Sequence, residues 1–331
     1  MKNPSILIYR WLFVCAAMVL MMAVIGAITR LTESGLSMVE WKPLIGAIPP
    51  LSESKWHRVF DLYKQTPEFI QKNAWMGLAD FKTIFFWEWF HRLWGRLIGL
   101  VYALPLIWFW VRGMIPPGFK GKLLFALFLG GLQGVMGWIM VKSGLIDRPS
   151  VSHYRLAAHL ILALAIFGYL LWLAFSLRDS RALKINLSAL GLTSLFMVTL
   201  TIIWGAFTAG LDGGMLYNTW PLMGGHWVPP DVTAVTALHS DPAGVQFMHR
   251  WLAVLAAVVT LVYAWKTNRG ALAAAVFCQV ALGMATLLSQ VYIPVAAAHQ
   301  AGAFIVFALL LHALRSSSPG AESPDKTTCN R

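Results

Sequence analysis

The sequence predicts an all-α polytopic membrane protein: eight transmembrane helices arranged as two parallel-repeat four-helix bundles. Three observations carry this. Of 331 residues, 58% are hydrophobic and only 12% charged, a balance that suits a chain solvated mainly by lipid. Eight apolar segments, at about 9–29, 84–112, 122–142, 152–177, 187–210, 243–265, 270–290 and 293–314, each reach the ~20 residues a bilayer needs. None alternates like a barrel strand, so helices must satisfy the backbone. The third observation is a long-range internal repeat.

The repeat runs through five features in the same order. Gly26-Ala27-Ile28-Thr29 leads through Gly35 to Trp41, Pro43 and Pro49-Pro50; Gly205-Ala206-Phe207-Thr208 leads through Gly213-Gly214 to Trp220-Pro221 and Pro229-Pro230. His91-Arg92 is answered by His249-Arg250, Gln133 and Gly137 by Gln279 and Gly283, and Ala157-Ala158-His159 by Ala297-Ala298-His299. One such match is weak; five in order indicate duplication. Each half holds an even number of spans, so both insert in the same sense, related by an axis along the membrane normal. The expected divisions are an amino-terminal half at 1–180, a carboxyl-terminal half at 181–314 and a disordered cytoplasmic tail at 315–331, rich in Ser, Pro, Gly and charge.

The first span follows Lys2 and Arg10, and it lacks a small-residue cleavage site, so it reads as a retained helix. The net charge of +12 invites a nucleic-acid partner, but the basic residues have another account. Arg112, Lys120, Lys122, Arg178, Arg181, Lys184, Lys266, Arg269, Arg315, Lys326 and Arg331 all fall on the side of Lys2 and Arg10. The positive-inside rule makes that side cytoplasmic and puts both termini there, which excludes nucleic acid. Loops 211–242 and 291–292 on the opposite side carry no Lys or Arg. Cys15, Cys278 and Cys329 are too scattered for a zinc site or a disulfide framework.

Loop 30–83 is long but patterned. Trp56, Val59, Phe60 and Tyr63 fall at helical spacing between charged residues, which predicts a short amphipathic helix, either a plain surface element or a lid. Thr66-Pro67 reads as the cap and first turn of another.

Four histidines carry the chemistry. His91, His159, His249 and His299 lie early in alternate spans that all run from outside to inside, so all sit near the outer face. A histidine among apolar residues is costly unless it is ligating or hydrogen-bonded. Zinc held by two histidines would want further Cys, Asp or Glu, and beside His249 and His299 the second half offers only Gln246, Arg250 and Gln300. Two imidazoles facing across a gap suit the axial positions of a haem iron. Gly95, Gly99, Gly134, Gly137 and Gly283 leave room for a planar macrocycle. Arg92 and Arg250 adjoin the first histidine of each pair; they read as propionate partners or as interfacial snorkelling residues. His57, His226 and His239 read as loop surface, His153 faces away from His159, and His312 lies at the inner end.

Glu88 breaks the symmetry. It precedes His91 by one turn on the same face, whereas Gln246 holds that place before His249. Its aromatic neighbours suit it to carrying protons. The first half is therefore expected to be reactive and the second structural or electron-transferring. An interfacial carboxylate paired with Arg92 is the plainer alternative.

Together these motifs resemble the haem A synthase family. They are Thr29 to Ser37, Trp41-Lys42-Pro43, Glu88 with His91-Arg92, Tyr154 to His159, Gln246 to Arg250, and His299-Gln300, and the likeness runs to about Leu314. The resemblance implies oxidation of a ring methyl group of haem O to a formyl group, giving haem A for cytochrome oxidase. It implies a haem b cofactor (iron) on His249 and His299, and a substrate site at His91 and His159 with Glu88 as its acidic residue. It further implies a multi-pass protein of the cell inner membrane, with haem O synthase as the source of substrate and cytochrome oxidase assembly factors as partners. Self-association is left open. Some family members carry a cysteine pair in the first outer loop; loop 30–83 has none, so a thiol relay there is excluded. Two rivals remain. A di-haem b-type electron carrier would want histidine pairs near both faces, and a transporter would want polar residues at mid-depth.

Overall fold

The computed structural model describes residues 4–40, 45–145, 149–178 and 188–316. The described residues form ten α-helices: α1 (Pro4–Leu31), α2 (Glu53–Tyr63), α3 (Leu78–Val111), α4 (Lys120–Gly144), α5 (His153–Arg178), α6 (Ala189–Gly210), α7 (Ala237–Ser240), α8 (Pro242–Lys266), α9 (Gly270–Leu288) and α10 (Ile293–Ser316). All but α2 and α7 are long and apolar enough to cross a membrane, which gives the eight spans the apolar segments mark. The stretch Trp41–Leu44, the second basic linker (179–187) and the tail from 317 on lie outside the described residues, and with them the Trp41-Lys42-Pro43 motif and Cys329.

Taken in chain order, the spans make a first set of α1, α3, α4 and α5 and a second of α6, α8, α9 and α10, with broad packing within and between them. In the first set α1 lies along α5 and α3, and α4 lies along α5; in the second, α6 lies along α8, and α9 along α10 and α8. The sets meet through α1 and α5 against α6 and α10. That seam is filled by close-packed apolar side chains, among them Leu12, Phe167, Leu170, Phe304 and Leu310. Loops 32–77 and 211–241 emerge at one end of the bundle, called here the loop end. There Arg30 of α1 ties the two sets, donating to the Asp212 carboxylate at 2.9 Å and to the Gly210 carbonyl at 3.3 Å.

The amphipathic pattern in the first loop does form a helix. Ser52 caps α2 by accepting from Lys55 N–H. Its apolar face packs on the first turns of α3: Trp56 meets Phe85 at 5.0 Å between ring centres, and Phe60 and Tyr63 meet Phe81 at 4.9 and 5.2 Å. With Met38 and Ile84 these rings make a small second core, each buried ring contributing roughly 1.5–3 kcal/mol. Thr66 caps the next turn, its hydroxyl accepting from Phe69 N–H at 3.2 Å, but that turn is a π-turn over Phe69–Asn73. At 34 residues, α3 is about 50 Å long and outruns a bilayer, so it carries this core on its projecting end.

Candidate haem sites

His159, His249 and His299 stand six or seven residues into α5, α8 and α10, about 9–11 Å along each helix from the loop end. His91 sits on the long α3, where it faces His159 closely enough to interact electrostatically. The structure brings His91 near His159, and His249 near His299. The second pair's ring centres are 6.4 Å apart with planes at 84°. Two metal–imidazole bonds of about 2 Å each place ring centres roughly 6 Å apart across one metal, so this spacing fits axial ligation. Among the described residues, no cluster of three or more His, Cys, Asp or Glu could hold a metal by itself. The donor sets are pairs, as a metal that brings its own equatorial ligands requires.

Each of the four rings rests on a glycine. A Cβ at Gly26 would come 3.4 Å from the His91 ring, at Gly137 3.2 Å from His159, at Gly205 3.0 Å from His249 and at Gly283 3.0 Å from His299. The glycines let a neighbouring helix approach one side of each imidazole and fix where the ring sits. Gln133 and Gln279 add to this. Their amides donate to the His159 and His299 carbonyls at 3.1 and 3.0 Å and lie 3.2 and 3.1 Å from a ring nitrogen. His249 Nδ1 donates to the Thr201 carbonyl at 3.1 Å, which leaves Nε2 as the metal-facing nitrogen. His159 Nδ1 is buried with no protein partner.

Above the rings, both halves use the same device. Arg92 donates to the Met38 and Glu40 carbonyls at 3.0 and 3.4 Å, and Arg250 donates to the Thr219 carbonyl at 2.7 Å and to that of Tyr217. Thr29 donates to the Ile25 and Trp87 carbonyls, and Thr208 to the matching Trp204 and Val245 carbonyls. The arginine bonds clamp each loop, and the threonine bonds tie the preceding helix, to the helix that carries the first histidine of its pair. Arg250 keeps Nε buried and unpartnered beyond these bonds.

Glu88 is 2% exposed and fully engaged. One oxygen accepts from Arg92 at 2.5 Å, and the other accepts from the Ser37 hydroxyl at 2.7 Å and from Met38 N–H at 2.5 Å. The sequence places aromatic residues around this carboxyl; the structure adds a cation and two loop donors, because the chain after α1 folds back over α3. Gln246 sits in the matching place and donates to the Tyr217 carbonyl at 3.0 Å.

The remaining histidines lie elsewhere. His153 stacks by Tyr154 and lies 3.1 Å from the His239 carbonyl; Tyr154 hydroxyl is 2.8 Å from His239 Nδ1. His57 is on α2 beside Glu53, His226 pairs by backbone with Met223, and His312 meets Phe175 edge-on. Sequence reasoning marked Gly26 and Gly205 only as repeat signposts and missed that they seat His91 and His249. Their recurrence ahead of Thr29 and Thr208 was the available signal.

Fold and site define an eight-span helical membrane protein with two level pairs of intramembrane histidines. The chain matches the COX15-CtaA family, described as cytochrome oxidase assembly protein, over residues 9–311, and it belongs to that family. Similar proteins named Heme A synthase come from Rhodospirillum centenum (49% identical, covering 96% of this chain and 90% of the relative) and Parvibaculum lavamentivorans (45%, 90% of each). Another is from Maricaulis maris (45% identical, 92% of this chain, 94% of the relative).

Proposed function

We propose that this chain oxidises haem O to haem A for cytochrome oxidase, as a multi-pass membrane oxidoreductase. The family and its relatives' names support the reaction. The observation on the molecule itself that carries it is the pairing of imidazoles in two level sites, only one of which has a carboxylate beside it. Haem fits the donor sets: a 6.4 Å ring separation in the second pair and an orphaned His159 Nδ1 in the first.

In this reading His249 and His299 hold a haem b, which when bound supplies one-electron redox chemistry. Arg250, whose buried Nε has no protein partner, would hold a propionate of that haem. His91 and His159 hold the substrate haem O, and Arg92 keeps Glu88 in place beside it. Turning a methyl into a formyl group replaces hydrogens on that carbon by oxygen; with water as the oxygen source and an external acceptor taking the electrons, protons are released, and a nearby group can take them up. Glu88 is the acidic group on the His91 face of α3, and its hydrogen bonds to Ser37 and Met38 lead into the loop. The loop end faces the non-cytoplasmic side of the inner membrane with both termini inside, a reading supported by the basic residues between the spans at the other end. The two four-helix sets are parallel repeats, an assignment supported by their matching arginine and threonine contacts.

The test is mass analysis of haem extracted from the purified protein after supply of haem O. Haem A or its alcohol precursor is the expected product. Haem b alone would favour the di-haem electron carrier instead.

A further inference from the structure

The first half is open where the second is filled. Between α3 and α4 lies an apolar cavity of about 410 Å³ whose lining includes Ala103, Leu106, Ile107, Trp110, Leu124 and Leu127. It lies at the end of both helices away from the loops. Between it and the His91–His159 site both helices carry small residues. On α4 the row starts at Gly137, against the His159 ring, and passes Gly134 and Gly130 to Leu127 and Leu124 at steps of three or four. On α3 it passes Gly99 and Ala103 to Ile107 and Trp110. A Cβ at Gly99, Gly130, Gly131 or Gly134 would meet no atom within 4 Å. The run from Gly137 to Leu124 is about 20 Å at ~1.5 Å per residue.

The matching positions of the second half, counted from His249 and Gly283, are all larger. Gly99 and Ala103 become Ala257 and Leu261; Gly130, Gly131 and Gly134 become Val276, Phe277 and Val280. Val276 is buried at 4% exposure, and α8 and α9 pack along each other more closely than α3 and α4 do. The two histidine sites therefore differ in what lies beneath them: small residues leading toward an apolar cavity under one, larger side chains under the other.

Haem O and haem b differ in the same respect. Haem O carries a long farnesyl-derived chain on one ring edge, and haem b does not. We propose that the α3–α4 groove seats this isoprenoid chain of the haem substrate, and that filling the same space in the second half restricts that site to a haem without a tail. This rests on the haem-oxidation reading and gives it a determinant of specificity that lies far from the iron. A groove this apolar has no polar group with which to recognise a ligand. It selects by length and shape, and by removing a hydrocarbon chain from competition with lipid.

The test is Gly130→Val, which installs the second half's own residue into space that the backbone leaves open. Ala103→Leu makes the same change from the α3 side. The full-length protein, with its second site saturated by haem b, is titrated with haem O and in parallel with haem b at the first site, following absorption. The wild type is expected to favour haem O by about tenfold or more. Both variants lose that preference, while haem b affinity at the first site and the absorption of the second site stay unchanged. Unchanged haem O affinity in the variants would overturn the proposal, as would equal loss for both haems, which would mean a disturbed ring site. A phospholipid that co-purifies with the wild type and is lost from the variants, with haem O affinity untouched, would assign the groove to lipid and also overturn it. Failure of the wild type to convert bound haem O, with the preference intact, would refute the reaction and leave the groove standing.

Discussion

Glu88 and Gln246 occupy the same step before their histidines, and each ties a helix to the loop above it, but only Glu88 brings a charge. Glu88 takes hydrogen bonds from Ser37, Met38 and Arg92, whereas Gln246 donates to Tyr217. The second half is thus a natural control for Glu88→Gln: an amide at this place is compatible with a folded loop. Glu88→Gln should keep the haem content and absorption of the purified protein, yet lower turnover by about 100-fold, as expected for a lost proton-transfer group. The measurement is single-turnover conversion of haem O alongside haem extraction. Wild-type turnover in the variant would remove Glu88 from the chemistry.

The glycines beneath the imidazoles make a graded prediction. An added methyl would stand 3.0 Å from the His249 ring at Gly205 and from the His299 ring at Gly283, tighter than ordinary contact, but 3.4 Å from His91 at Gly26. Since backbone of the neighbouring helix carries the methyl, the ring must move, and ligation depends on the ring. Gly205→Ala and Gly283→Ala should each weaken haem retention in the second site by about tenfold or more, and Gly26→Ala should do less to the first. Haem retained on dilution, read from absorption, checks the order. Equal effects at all three would show that ring seating is not the cause.

Much of this was legible in the chain because hydrophobic length and histidine placement are local signals. The eight spans matched their apolar segments to within a few residues, apart from α1 and α3, which start earlier. α3 starts at Leu78 because Phe81 and Phe85 pack under α2, a contact that the bilayer criterion does not see. The histidine pairing followed from the repeat. What could not be read was tertiary: the loop donors that surround Glu88, the carbonyls that receive Arg92 and Arg250, and the open groove below His159. Each depends on where a distant segment comes to rest. Gly130 and Val276 differ plainly in the sequence, but only the helix packing gives that difference a meaning.

Arg250 is the clamp of the second loop. It is 7% exposed and donates to two loop carbonyls; its loss removes the donor to Thr219 and leaves Tyr217 with the Gln246 amide alone. Arg250→Leu should destabilise the protein by about 2–3 kcal/mol. It should also open the Tyr217–Thr219 stretch to protease, while α7 and the Trp227–Trp251 contact keep the rest of loop 211–241 on α8. Lysine, with one charged nitrogen in place of a fork, should recover only part. Limited proteolysis with thermal unfolding in detergent gives the readout, and a variant as protease-resistant as the wild type would show that the clamp is dispensable.

Glu68 makes the stability of the first loop depend on pH. It is 4% exposed beneath α2, and burial pushes its carboxyl up to about 8, with Glu88 and Glu33 adding to the rise and the Tyr63 hydroxyl and Lys72 opposing it. Tyr63 hydroxyl lies 3.1 Å from Glu68 and receives the Asn73 amide at 2.7 Å. A carboxyl raised on folding binds its proton more tightly in the folded loop than in the open one. The loop's stability is therefore highest below the ordinary carboxylate range, falls as pH rises from about 4.5 to about 8, and levels above that. Glu68→Gln mimics the protonated form, so it should remove this slope and leave the loop more stable than the wild type at pH 8, by about 1 kcal/mol or more. Amide hydrogen exchange across α2 and the Phe69–Asn73 turn, measured at several pH values, reads this directly. A wild type and a variant with parallel pH profiles would mean that Glu68 stays ionised in the folded loop.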